Sequence, residues 1–327
     1  MTLQEILRQN QTKTWKIERL LELGKGRQEV ADLVGVNYGF VHNVYARLFP
    51  ERIRRTNQQT RNNNQTAEFR LRDFDFNHTF GVEIEAYGIR KEEIEEELKA
   101  AGIETRNEIY NHTTKNYWKI VRDGSLQGEN AFELVSLKLK GKSGLRQLKT
   151  VCLILKGLET KVNKSCGLHI HFDATEFDLK TWKRLYKNYA KLELHIDSIM
   201  APSRRGSLNQ YCRSLRVRNF ERKIDEVSNL DRMESGLRKL ESNITNGNRY
   251  YKLNSQSYWI HKSVEFRQHQ GTVDFNKIQN WIFFLARLIE FSKNAEVRNE
   301  TWETLKSFLS EDLMSYFAGR KRELASE

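Results

Sequence analysis

Two histidines stand one residue apart in the segment SCGLHIHFD, which runs from Ser165 to Asp173. Apolar residues alternate with them, and a period of two is typical of a strand with one packed face and one polar face. Because side chains at positions i and i+2 of a strand point to the same side, His169 and His171 are predicted to project together. The segment therefore predicts a sheet that keeps two imidazoles where a core would use aliphatic side chains.

Acidic side chains recur at this spacing in other predicted strands. The residues concerned are Glu83 and Glu85 in GVEIEAYG, Asp123 in VRDGSL, Glu133 in FELVS, and Glu265 with Arg267 in SVEFRQHQG. A solvated strand face is a sufficient explanation for any single pair. It explains the whole set less well, because clustered carboxylates repel one another and destabilise a fold unless a cation lies between them.

The types of residue in this set indicate which chemistry to expect. Carboxylates with few imidazoles suit Mg²⁺ or Mn²⁺, whereas a zinc site would use more histidine or cysteine. An arginine beside a metal-binding glutamate suits a phosphate or carboxylate partner. The set therefore predicts phosphoryl transfer from a nucleotide. Since the sequence has no GxxxxGK[ST] loop and no kinase signature, the phosphates are expected to be held mainly through the metals.

The chain is predicted to have two parts joined by a polar linker. The segment RRTNQQTRNNNQT, residues 54–66, has no apolar residue and is typical of a solvated connection. We therefore predict a helical unit over residues 1–53, a linker over 54–68 and a larger domain over 69–327. Residues 1–70 contribute +5 of the net charge of +12, and such an excess favours a polyanionic partner.

The first unit is predicted to contain a helix-turn-helix in RQEVADLVGVNYGFVHNVYARLF. Ala31 would let two helices cross closely, Gly35 would form the turn, and Val41 and Val44 would anchor the second helix. The exposed residues of that helix are expected to be Asn37, Tyr38, Phe40, His42 and Asn43.

We expect this unit to bind duplex DNA through residues 1–66, with phosphate contacts from Arg52, Arg54, Arg55 and Arg61. Contact with another protein is the alternative, since small helical units of this kind also serve that purpose.

The larger domain is predicted to be α+β, with an antiparallel or mixed sheet and helices that cover one face. Strands are expected at 78–88, 116–125, 131–139, 166–173 and 263–271, and helices at 91–102, 144–158, 178–200 and 275–295. The chain has three widely spaced cysteines and no apolar N-terminal segment or membrane-length apolar run. We therefore expect a soluble cytoplasmic protein.

Several segments together resemble the amidoligases of the carboxylate–amine ligase superfamily, which includes glutamine synthetase and glutamate–cysteine ligase. They are FGVEIEA, DGSL, FELVS, NKSCGLHIHFD and YYKLNSQSYWIHKSVEFRQHQGTVDFNKIQNWI. The resemblance runs from Phe80 to Phe291 and leaves the predicted helix-turn-helix outside. It implies a glutamine synthetase-like antiparallel sheet funnel, and assembly into homo-oligomers is a further expectation.

The resemblance also implies roles for individual residues. It assigns metal ligation to Glu83, Glu85, Glu133, His169 and Glu265. It assigns a contact with ATP phosphate to His171, and stabilisation of the transferring phosphoryl group to Arg267. Asp123 and Glu133 correspond to the acids of the middle hairpin and, with Arg267, are the expected catalytic residues. Asp123 differs from the glutamate more often found at that place.

Basic and amide side chains in two other segments are candidates for holding phosphate or a substrate carboxylate. They are Arg204, Arg205 and Arg213 in APSRRGSLNQYCR, and Arg249, Lys252 and Asn254 in NRYYKLN. Lys252, Asn254 and Arg213 are the expected cofactor contacts among them. A solvated surface charge is an equally simple interpretation of any one of these residues.

The resemblance implies an ATP-dependent, Mg²⁺-requiring ligase that joins a carboxylate to an amine through an acyl phosphate. Two alternatives stay open on the sequence. One is a nucleotide-responsive DNA-binding regulator with a ligase fold that has lost catalysis, although the expected site residues are all present. The other is a metal-dependent nuclease or hydrolase whose positive charge binds nucleic acid as substrate.

Overall fold

The computed structural model describes residues 1–49, 76–227 and 232–325. The chain divides into two units, Met1–Phe74 and Asp75–Glu327, and each is described by itself. The predicted linker over 54–68 lies outside the described residues, as do Arg52, Arg54, Arg55 and Arg61. These expectations therefore stay predictions.

The described residues of the first unit form four short helices. They are α1 (Leu3–Arg8), α2 (Lys13–Glu22), α3 (Arg27–Val34) and α4 (Tyr38–Leu48). Their shared core consists of Ile6, Ile17, Leu20, Leu21, Val30, Ala31, Val41 and Val44. Gly35 ends α3 with φ +64°, a left-handed conformation that costs a residue with a Cβ more than it costs glycine. The turn brings α4 back against α3, with Ala31, Val41 and Val44 buried as expected.

The described residues of the second unit form a mixed sheet of eight strands. They are β1 (Thr79–Ala86), β2 (Thr105–Asn107), β3 (Trp118–Val121), β4 (Phe132–Val135), β5 (Leu139–Lys140), β6 (Gly167–Asp173), β7 (Leu253–Asn254) and β8 (Ser263–Gln270). The order across the sheet is β2-β3-β4-β1-β6-β8-β7, and β5 pairs with β1. Strands β2 and β3 are parallel, and the other pairs are antiparallel.

Helices flank this sheet. They are α5 (Lys91–Ala100), α6 (Gly141–Gly157), α7 (Leu179–Asp197), α8 (Phe220–Asp225), α9 (Met233–Thr245), α10 (Ser257–His261), α11 (Phe275–Asn294) and α12 (Glu311–Glu323). Two 3₁₀ turns, Pro202–Arg204 and Trp302–Ser307, interrupt the loops. The ring of Tyr189 on α7 lies 5.8 Å from that of Phe266 on β8, so α7 packs directly on the sheet. The predicted mixed α+β architecture with flanking helices is confirmed, while the glutamine synthetase-like funnel stays a prediction.

The alternation in the sequence determines which face of the sheet is packed. Val82, Ile84, Leu168 and Ile170 are fully buried on the helix side. The intervening polar residues therefore face away from the helices, as their period of two predicts. Among the described helices, none combines the length and the apolar composition needed to cross a bilayer.

Candidate active site

The sheet register brings the predicted acids and imidazoles together on one face. Across neighbouring strands the paired residues are Glu83 with His169, Glu85 with Glu133, and His171 with Glu265. They form the floor of a cleft of about 730 Å³. Four strands, β4, β1, β6 and β8, therefore supply one polar patch from segments far apart in the chain.

Two overlapping triads in this patch have donor atoms close enough to share a cation. One is Glu83, His169 and Glu265, and the other is Glu85, Glu133 and His169. Within each triad, the three ligand atoms lie within 4.8 Å of one another. Carboxylate oxygens with one shared imidazole fit Mg²⁺ or Mn²⁺, and all five predicted metal ligands belong to one triad or the other.

Glu83 bridges the two histidines of β6. Its Oε2 lies 2.8 Å from His169 Nδ1, and its Oε1 lies 3.2 Å from His171 Nε2. Burial raises the pKa of Glu83, but the charge of His171 and hydrogen bonds from both histidines outweigh it and hold the pKa well below its usual value. For His171, burial lowers the pKa, while Glu83 and Glu265 raise it to a net value above the ordinary one. His171 therefore contributes positive charge beside Glu83.

Glu133 has the opposite electrostatic environment. Burial raises its pKa, and the negative charges of Glu83 and Glu85 raise it further, to well above the usual value. A carboxyl that its neighbours drive towards protonation is stabilised as a carboxylate when a cation lies among them. This imbalance is the physical reason why the donor set fits a divalent metal.

A β-bulge sets the position of Arg267. The register between β6 and β8 passes from Ile170–Phe266 to Leu168–His269, so Arg267 and Gln268 both lie opposite the single residue His169. Bulges often redirect side chains beside functional sites. Here Arg267 lines the cleft, and its Nη1 donates to Glu265 Oε1 at 2.5 Å. Its Nε donates to the carbonyl oxygen of Tyr211 at 3.2 Å, which fixes the plane of the guanidinium.

The bulge also removes a histidine from the cleft. Strict alternation from Glu265 and Arg267 would put His269 on the same face, but the extra residue turns it to the helix side. Its ring lies 5.8 Å from that of Trp281 on α11. Burial lowers the pKa of His269 to about 3.

Other predicted residues lie around this patch. Asn254 lines the cleft and donates from Nδ2 to Glu265 Oε2 at 2.6 Å. Asp123 also lines it from the loop after β3, where its Oδ1 accepts from the backbone amide of Ser125 at 2.7 Å. Asp123 belongs to neither triad. Arg204 and Arg249 line the cleft as well.

Three basic candidates lie elsewhere, which corrects the predicted cofactor contacts of Lys252 and Arg213. Arg213 is exposed and does not line the cleft. Arg205 donates to the carbonyl oxygens of Met200 and Leu324. Lys252 is 0% exposed, because its side chain extends into the core rather than into the cleft.

Lys252 is the centre of a buried ionic cluster. Its Nζ lies 2.8 Å from Glu193 Oε1 and 2.6 Å from Asp197 Oδ1, both on α7. The second oxygens of these carboxylates accept from the backbone amides of Leu215 and Gly206. The cluster thus ties the loop between Gly206 and Leu215, which contains Tyr211, to the core.

The cluster also reaches β8. Gln268 donates from Nε2 to Asp197 Oδ1 at 2.5 Å and accepts from the hydroxyl of Tyr189 at 2.6 Å. The carbonyl oxygen of Lys252 accepts from the backbone amide of Arg267 at 2.9 Å. Lys252 therefore supports the bulge and the Tyr211 loop, the two elements that hold Arg267.

Sequence reasoning missed several residues that line the cleft, including Tyr110, Lys119, Tyr211, Tyr250 and His261. Lys119 could have been identified from the sequence, since it is a lysine within the otherwise apolar run YWKIV. Its Nζ donates to the carbonyl oxygens of Asn111 and Thr113 at 2.6 and 3.0 Å, and so fixes the loop between β2 and β3.

Comparison with known families agrees with the motifs. A family model described as "Putative amidoligase enzyme" matches residues 76–289, which is more than half of the chain. The match includes every strand of the sheet and both triads, and the first unit lies outside it. The family resemblance inferred from the sequence is thereby confirmed. The comparison with curated proteins gives no match.

We predict that Glu133→Gln stabilises the metal-free protein at neutral pH. A carboxyl with a raised pKa is neutral at low pH and ionises beside Glu83 and Glu85 only as the pH rises. The parent therefore loses stability above the ordinary glutamate pKa of about 4.3, and the glutamine variant does not. Calorimetry in a chelator should show a gain of about 2–4 °C in Tm at neutral pH, on the order of 1 kcal/mol for a unit of this size.

The gain from Glu133→Gln should disappear as the pH is lowered below the ordinary glutamate value. The matched control is Glu129→Gln, which removes an exposed carboxylate nearby in the chain. A gain of equal size in the control, or a loss for Glu133→Gln at every pH, would contradict the proposed repulsion.

We also predict that Lys252→Met destabilises the second unit strongly. The substitution keeps the length of the side chain but leaves Glu193 and Asp197 buried without their cation, which costs about 3–5 kcal/mol. Chemical denaturation measures the loss. Lys180→Met, at an exposed position on α7, should change the free energy of unfolding by less than about 0.5 kcal/mol. Similar values for the two variants would show that the cluster contributes little.

Proposed function

Because the chain belongs to the amidoligase family, we propose that its second unit is an ATP- and Mg²⁺-dependent ligase that joins a carboxylate to an amine. The observation that supports this most directly is the floor of the cleft, where two carboxylate–imidazole triads adjoin Arg267, whose side chain is only 12% exposed. That combination suits a negatively charged phosphate chain and an anionic acceptor in one site.

The proposed chemistry has two steps. A carboxylate is a poor acyl donor, so its oxygen first attacks the γ-phosphorus of ATP, which gives an acyl phosphate and ADP. The amine nitrogen then attacks the acyl carbon, the C–O bond to phosphate breaks, and the amine gives up a proton. Mg²⁺ held by the two triads would reduce the repulsion between the acceptor carboxylate and the γ-phosphate.

The residues of the chain have distinct parts in this proposal. Arg267 meets the charge that grows on the transferring phosphoryl group, and its bonds to Glu265 and the Tyr211 carbonyl orient it beforehand. His171 lines the cleft opposite Glu265, which precedes Arg267 by two residues on β8. In this proposal it contacts a phosphate oxygen. Asn254 fixes the second oxygen of Glu265. Asp123 and Glu133 both line the cleft, and the charge of Asp123 is close enough to raise the pKa of Glu133. They are candidates to bind the amine and accept its proton.

The primary experiment is a screen of carboxylate and amine pairs with ATP and Mg²⁺, with phosphate release as the readout. Phosphate release that requires both substrates supports the ligase. Binding of Mg·ATP without turnover for any pair favours a regulator. Hydrolysis of nucleic acid without ATP favours a nuclease.

We predict that Arg267→Lys and Glu83→Gln fail in different ways. Lysine keeps the charge but loses the planar fork, so turnover should fall by roughly 10²-fold while Mg·ATP affinity stays near that of the parent. Glutamine at position 83 removes a ligand charge, so the affinities for metal and nucleotide should fall together. Calorimetric titration and single-turnover phosphate release separate the two effects.

The matched control is Arg213→Lys, the same change at an exposed arginine outside the cleft. It should leave both nucleotide affinity and turnover unchanged. Should Arg267→Lys and Glu83→Gln keep parental turnover on an identified substrate pair, the cleft floor is not the catalytic centre.

A further inference from the structure

Helix α4 of the first unit has three distinct faces. Val41 and Val44 are buried in the helical core. A second face, formed by Tyr38, His42 and Tyr45, packs under Arg27 of α3. The third face, formed by Phe40, Asn43 and Arg47, is exposed to solvent. Because these three positions are spaced by three and four residues, they lie in one row along the helix.

Arg27 packs against the second face of α4 and partly covers it. Its guanidinium lies 4.8 Å from the ring centre of Tyr45 and 5.8 Å from that of Tyr38. Its Nη1 lies 3.1 Å from His42 Nδ1, and since arginine can only donate, that nitrogen accepts and the imidazole is neutral. Burial and the charge of Arg27 lower the pKa of His42 in agreement with this.

These contacts reduce the number of accessible residues among the five that were expected to be exposed on this helix. Tyr38 and His42 are half-buried, and Asn37 caps the helix by accepting the backbone amide of Phe40 at 2.8 Å. Phe40, at 39% exposed, and Asn43 stay accessible. The structure adds Arg47, whose side chain is 63% exposed and forms a surface ion pair with Glu18.

We propose that this row of α4 enters the major groove of duplex DNA, with Asn43 reading an adenine and Arg47 contacting a phosphate. An asparagine amide can donate from Nδ2 to N7 of adenine and accept at Oδ1 from the N6 amino group, and an apolar side chain such as Phe40 suits a thymine methyl group. A three-residue turn with a left-handed Gly35 connects α3 to α4, and such a connection is typical of a helix-turn-helix, whose second helix occupies the groove.

Charge favours DNA over a protein partner for this row. Helix α4 contains no aspartate or glutamate, and the whole chain has a net charge of +12. Lys13 Nζ lies 3.3 Å from the carbonyl oxygen of Gly35, so a second cation stands at the turn that precedes α4. The row has one aromatic residue followed by two polar ones, whereas the core of a protein-docking face would be more continuously apolar.

The test uses the full chain. Selection from a random duplex pool at low salt should enrich a preferred sequence, and fluorescence anisotropy then compares the enriched duplex with a scrambled one. Asn43→Ala should weaken binding to the enriched duplex roughly tenfold and leave the scrambled duplex unaffected, as expected for loss of one base contact. Asn10→Ala, the same change at an exposed asparagine outside α4, should alter neither.

A second pair of variants tests the phosphate contact. Arg47→Ala should weaken binding to both duplexes alike and reduce the slope of log affinity against log salt by about one. Arg19→Ala, at an exposed arginine of α2, should leave that slope unchanged.

Three results would overturn the proposal. The first is that no duplex is enriched at low salt. The second is equal effects of Asn43→Ala and Asn10→Ala on the enriched duplex. The third is equal affinity for duplex RNA of the same sequence, because the deep, narrow major groove of A-form RNA does not admit a helix.

Discussion

Repulsion among carboxylates on one face of the sheet is the constraint on which the second unit depends. Glu83, Glu85, Glu133 and Glu265 converge there from three strands, and all but Glu83 are buried. His171 and Arg267 offset part of this charge, but Glu133 still has a raised pKa. Such a face can persist only where the opposite face is packed well enough to hold the strands in register. Aliphatic strand residues and the rings of α7 and α11 provide that packing.

The alternation of residues was sufficient to predict which side chains share the polar face. The pairs at 83 and 85, at 169 and 171, and at 265 and 267 all point into the cleft, because a strand has a fixed period of two. The longer helices were also predictable, since each has an apolar stripe of more than two turns. The strand order was not, because hydrogen bonding between distant strands leaves no local pattern.

Local irregularities account for the remaining differences between the predicted and the observed structure. The bulge in β8 changes the parity of the strand after Arg267, and nothing in SVEFRQHQG signals the extra residue. The short strands β2, β5 and β7 contain only two or three residues each, too few for a period to be read. Lys252 appeared to be a ligand for phosphate because it is basic and lies in a family motif. Its partners, Glu193 and Asp197, are more than fifty residues earlier in the chain.

Strand β8 lies between two ionic clusters. One has all of its charges paired and supports the fold, whereas the other has unbalanced charge and forms the proposed site. Behind it, Lys252 and the amides of Gly206 and Leu215 engage all four oxygens of Glu193 and Asp197. In front of it, Glu133 lies among like charges that raise its pKa. A buried network with every oxygen engaged stabilises one conformation without help. Under the proposed function a cation would complete the opposing face, and the satisfied cluster behind β8 would hold Arg267 in place beside it.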